Sequence, residues 1–78
     1  MANSTAMYTR EREGHVERLT VMSYIGGENG DGDEIRVIRA VDDHVVDDQI
    51  AWHDNNGLQW LRERHTEWIA DGYTQSIH

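Results

Sequence analysis

The sequence predicts a small α+β domain: an antiparallel sheet built from a hairpin, a third strand and a C-terminal edge strand, with one amphipathic helix packed on it. Two observations carry most of that expectation. Two alternating apolar runs flank a Gly/Asn/Asp loop, the pattern of a β-hairpin. A later segment, opened by Asn55-Asn56-Gly57, repeats its apolar residues at helical spacing. A third observation bounds the answer. The chain has 78 residues and no cysteine, so it makes one domain with a thin core and no disulfide staple.

Residues 1–14 carry Asn, Ser, Thr and the mixed-charge run Arg10-Glu11-Arg12-Glu13. They read as a flexible N-terminal arm ahead of a single domain over 15–78. His15 to Ile25 reads as a strand, with Leu19, Val21 and Ile25 on one face and Met22 and Tyr24 on the other. Four glycines within residues 26–33 break it, and a second strand follows from Glu34 to Val41. The stretch 42–54 is open to two readings. As a helix it is capped by Asp42 or Asp43 and carries Val45, Val46, Gln49, Ile50 and His53 as a stripe. As a strand it centres on Gln49 to His53, with the paired aspartates as turn punctuation, and the strand is preferred.

A helix is expected after Gly57. Asn56 is its N-cap with Gln59 three residues on, as in a capping box. Leu58, Leu61, His65, Trp68 and Ile69 form its stripe, and Gly72 suits a left-handed C-cap. Tyr73 to His78 closes the domain as an edge strand.

Charge supplies the best clue to function. Fifteen acidic residues face seven arginines and no lysine, giving −8. Such a chain repels nucleic-acid phosphate, whose binding rests on cationic side chains releasing counterions. The acidity is also local. Glu28, Asp31, Asp33 and Glu34 in one segment, with Asp42, Asp43, Asp47, Asp48 and Asp54 in another, carry −9 without a base, and all other residues sum to +1. A partner with a basic surface is the expected target of such a face, and solvated loops are the bland alternative. Were 42–54 helical, Asp43 and Asp47 would repeat about every 6 Å along one face. That approaches twice the ~3.4 Å rise of DNA charge per strand. In a strand, the two acidic segments fall at opposite ends of a meander.

Other chemistries find little support. Setting Gly32 at the sixth position of a calcium loop leaves Gly27 and Ile38 at the first and twelfth, where ligating side chains are required. His15, His44, His53, His65 and His78 form no zinc-protease spacing. No activated serine context or phosphate loop is present, and exposed aspartates have no reason for a raised pKa. No enzyme, cofactor or metal is expected. Nor is there a signal-peptide core or membrane span, so the expected location is the cytoplasm.

Trp52, Trp60 and Trp68 are expected chiefly in the core, with Trp60 beside Arg64 as a possible aromatic-arginine anchor at an interface. The leading expectation is therefore an acidic protein-binding module. An inhibitor or regulator is its natural form, since shortness, acidity and the lack of a cofactor motif are shared with many small viral and mobile-element proteins. The alternative is a self-assembling, homodimeric subunit joined through its helix and tryptophans, and a metal-dependent enzyme or sensor ranks third.

Overall fold

The structure, a computed structural model, describes residues 2–26 and 32–76. Five strands and one helix follow in the order β1 (Ala2–Arg12), β2 (His15–Ile25), β3 (Asp33–Val41), β4 (His44–Asp54), α1 (Gly57–Ala70) and β5 (Thr74–Ser76). The strands form a single antiparallel sheet in the spatial order β4-β3-β2-β1-β5. The helix carries the chain from one edge strand to the other, across one face of that sheet.

Both predicted hairpin strands are present, but the sheet is larger than expected. The segment read as an N-terminal arm is β1, paired with β2 along its whole length from Ala2↔Ile25 to Arg12↔His15. Its polar look has a physical cause. One of its faces packs under the helix through Ala6 and Tyr8, while the other carries Thr5, Met7 and Thr9. In the charged run, Arg10 stands directly across from Glu17, which accepts its Nε and Nη2 at 2.9 and 3.2 Å. Glu17 is buried, and Arg10 also donates to the Asp71 carbonyl and lies 4.3 Å over the Tyr73 ring. That run ties three elements together.

The stretch 42–54 is a strand, longer than the expected Gln49–His53. Its register against β3 slips twice, so that Val46 and Ala51 have no partner opposite. Such bulges flip the side-chain alternation. Trp52 joins the helix-covered face beside Ile35, whereas Ile50 lies across from Arg36 on the open one. The turns before β2 and β4 both have two residues at positive φ, Glu13-Gly14 and Asp42-Asp43. That is the type I′ geometry whose twist matches a hairpin. Asp42-Asp43 is turn chemistry, as read; Asp47-Asp48 lies within the strand.

The core is Tyr8, Leu19, Val21, Ile35 and Tyr73, with Trp52, Trp60, Leu61 and Trp68 packed on it. Trp60 is the hinge of this layer, stacked on Trp52 at 6.3 Å and edge-on to Trp68 at 6.4 Å. It rotates the helix stripe from the expected one. Leu61, His65 and Trp68 face inward, but Leu58 and Ile69 are 53% and 43% exposed at its margins.

The helix starts differently from the capping-box expectation. Asn56 sits at φ 68° and makes no side-chain cap. The cap comes from β3 instead: Asp33 Oδ2 accepts the Gly57 amide at 2.8 Å, and its Oδ1 accepts the Gly26 amide at 2.8 Å. At the other end Gly72, at φ +97°, stops the helix as predicted. Its amide reaches the Ile69 carbonyl and that of Tyr73 reaches Trp68, a Schellman pair.

Candidate functional site

The predicted acidic residues are spread along the sheet. Glu28 and Asp31 lie outside the described residues. The loop after β2 and the turn after β3 sit at opposite ends of nine-residue β3, about 27 Å apart along the strand. Among the described residues no single acidic face joins them.

Several of the acids are committed within the fold. Asp33 is the double amide acceptor described above, and those two N–H groups hold its carboxyl below the ordinary range. Asp42 accepts the Val16 amide at 2.9 Å and pairs with His15 Nδ1 at 2.6 Å. Asp43 pairs with Arg18 at 2.8 Å. Asp48 takes Arg36 in a two-pronged grip at 2.7 and 2.6 Å, which lowers its carboxyl pKa. Glu34, Asp47 and Asp54 are in no ion pair among the described residues.

Trp60 and Arg64 are brought together as expected. The Arg64 guanidinium lies 5.4 Å from the Trp60 ring, over a shallow hollow that Trp52, Asn56 and Gln59 also line. Glu67 and Glu63 hold the same guanidinium at 2.7 and 3.6 Å. The tryptophan belongs to the core cluster, so its rim rather than its face is available to a partner.

Sequence reading missed two features. One is β4 itself as a sheet edge: eleven residues from His44 to Asp54, with Val45, Val46 and Ile50 at 63%, 57% and 50% exposure. The absence of any base between residues 42 and 54 was the available signal, although it did not reveal an edge. The other is a cleft of about 410 Å³ between α1 and strands β1 and β2, floored by Ala6 and Val21. In it Tyr8 Oη and His65 Nδ1 are hydrogen-bonded at 2.8 Å. Burial pushes the Tyr8 hydroxyl pKa up, so it stays protonated. Among the described residues no three His, Asp or Glu converge as a metal site, and no helix is long and apolar enough to cross a membrane.

His15 and Asp42 clasp the two turns at one end of the sheet. Asp42 raises the pKa of His15, and His15 together with the Val16 amide lowers that of Asp42. A raised imidazole stabilises the fold below its unfolded value, and that contribution fades as pH rises through the folded one. A lowered carboxyl stabilises above its unfolded value and fades as pH falls through the folded one. The clasp is therefore strongest between the two ordinary pKa values, in mildly acidic solution. In an NMR pH titration, His15 will titrate above the usual imidazole range and return to it in Asp42→Asn. An identical His15 midpoint in that variant would show that the clasp does not form.

No protein-family model, curated protein or solved structure matches the chain. The functional reading rests on its own geometry.

Proposed function

We propose that this chain is a small acidic protein-binding module that takes a basic, extended segment of a partner protein onto the free edge of β4, as an inhibitor or regulator would. The observation that carries the reading is the edge strand. β4 pairs with β3 on one side alone, runs for eleven residues, and presents Asp47 and Asp54 without an ion pair among the described residues. A strand added to an exposed edge gains main-chain hydrogen bonds, and alternate side chains give it specificity. Carboxylates along that edge select arginine and lysine, and they repel the edges of other acidic chains, this one included.

The bulges at Val46 and Ala51 divide the edge. Between them Asp47 to Ile50 stays in unbroken register with β3; this is the stretch offered to a partner's backbone, with Asp54 beyond the second bulge to meet the partner's next cationic side chain. Asp42, Asp43 and Asp48 contribute little, since His15, Arg18 and Arg36 already answer their charge. The acidic character that matters is thus narrower than composition implies.

Octa-arginine is a suitable first probe, followed by capture from lysate at low and moderate salt. The double variant Asp47→Asn/Asp54→Asn is expected to weaken peptide binding about tenfold, in line with about 1.4 kcal/mol. It should also flatten the salt dependence, whereas Asp43→Asn leaves binding nearly intact. Equal affinity in the double variant would overturn the edge reading.

A further inference from the structure

The helix covers one face of the sheet and leaves the other open. We infer that this open face is the contact between two copies of the chain, which pack sheet against sheet about a two-fold axis near Thr20. The pairing registers place Met7, Thr20 and Ile38 in one row across the face, and Met22, Arg36 and Ile50 in the next. Neither row touches the helix.

Three observations select a second copy as the occupant. The first is charge. Among the described residues the charged side chains of this face are Arg18, Arg36, Glu11, Glu34 and Asp48, and with Asp43, which reaches Arg18 from the turn, they sum to −2 in a chain that sums to −8. Arg18 and Arg36 are tied to Asp43 and Asp48 at 2.8 and 2.6 Å, so their charges are answered within the protomer. Two strongly acidic molecules can approach only where each is nearly neutral, and this face meets that condition. A basic partner would find no excess of negative charge here; it would be drawn to the β4 edge.

The second is composition. Met, Tyr and Arg are enriched at protein interfaces while Lys, Glu and Asp are depleted. Met7, Met22, Tyr24 and Arg36 lie on this face, together with the aliphatic Ile38 and Ile50. Two methionines adapt readily to an opposing surface. Three of the polar residues of this face, Thr5, Thr9 and Thr20, are short and uncharged, and Asn3 and His53 lie at its end.

The third is area. Four strands of nine to eleven residues span a face of roughly 600–700 Å², close to the ~800 Å² per partner of a standard interface. The protomer also exposes 5395 Å². A compact monomer of its 9.0 kDa mass exposes about 4,900 Å². The molecule is elongated, measuring 45 × 23 × 21 Å.

Light scattering on the full chain tests this, read up to about 1 mM, where even weak specific association registers. The mass should climb to twice 9.0 kDa with concentration. Added salt should favour the dimer by screening the −8 charges, the reverse of its effect on octa-arginine binding to β4. The two readings therefore succeed or fail separately. Ile38→Glu should leave only monomer, with circular dichroism verifying its fold, while Val46→Glu on the edge still dimerises. Because the chain has no native cysteine, Thr20→Cys offers a second route that does not disturb the core. Mild oxidation should cross-link it far more efficiently than Val46→Cys. A monomer mass at every concentration, or equal cross-linking of the two cysteine variants, overturns the inference.

Discussion

Ile35→Ala is expected to cost about 2–5 kcal/mol of folding stability, the largest single loss available in this chain. Ile35 is 0% exposed, and its row on β3 runs from Ser23 on one side to Trp52 on the other. Its side chain therefore joins the aliphatic centre of the sheet to the tryptophans that hold the helix. Marginal stability of about 0.05–0.15 kcal/mol per residue gives a 78-residue chain roughly 4–12 kcal/mol in all. At mid-range values, removing three carbons at this one position consumes about two-fifths of that. Urea denaturation followed by circular dichroism is the measurement, with Ile35→Val as the graded control at about 0.5–1.5 kcal/mol. Cooperative unfolding near the wild-type midpoint in Ile35→Ala would mean that the core is centred elsewhere. Val16→Ala supplies a contrast, because Val16 is half exposed and should change stability by no more than about 0.5 kcal/mol.

The sensitivity of so few residues also explains what was legible in the sequence. Leu19, Val21 and Ile35 alternate cleanly, so both central strands could be read. The helix was legible for the same reason, from Leu61, His65 and Trp68 at consistent spacing. β1 was not, because its covered face holds Ser4, Ala6, Tyr8 and Arg10, of which the first is polar and the last is mostly covered through an ion pair rather than as a hydrophobe. No periodicity rule distinguishes an arginine paired across a sheet from one in a solvated tail. β4 was half legible. Its two bulges break the alternation at Val46 and Ala51, so that Trp52, which plain alternation would put on the face of Ile50, lies on the opposite one.

The candidate site was legible as composition and illegible as geometry. Local acidity between residues 42 and 54 was visible at once. Which carboxylates are available depended on where each arginine lands, and those pairings join residues far apart in the chain. Arg18 meets Asp43 and Arg36 meets Asp48 only because three strands stack in register. Asp33 is the sharpest case. It counted as one of four acids in a polar segment, yet its two oxygens tie Gly26, just past the end of β2, to the start of the helix.

That lock leads to the second large effect. Gly57→Ala should destabilise the fold by about 1–3 kcal/mol, although alanine is the better helix former at most positions. A Cβ at Gly57 would stand 2.7 Å from Asp33 Cβ and 2.9 Å from its Oδ2, closer than real atoms approach. The backbone of α1 would have to retreat from β3, breaking the 2.8 Å hydrogen bond that caps the helix. Asp33→Gly separates the two contributions, since it removes the obstructing Cβ together with the cap. In a double-mutant cycle, Gly57→Ala should cost far less in the Asp33→Gly background than in the wild type, the signature of residues in direct contact. Additive losses would place the cost in the helix backbone and not in its seat against Asp33. Because the loop amide of Gly26 hangs from the same carboxylate, hydrogen exchange at Gly26 should quicken in Gly57→Ala as well. The helix start and the end of β2 at Gly26 would then loosen as one unit.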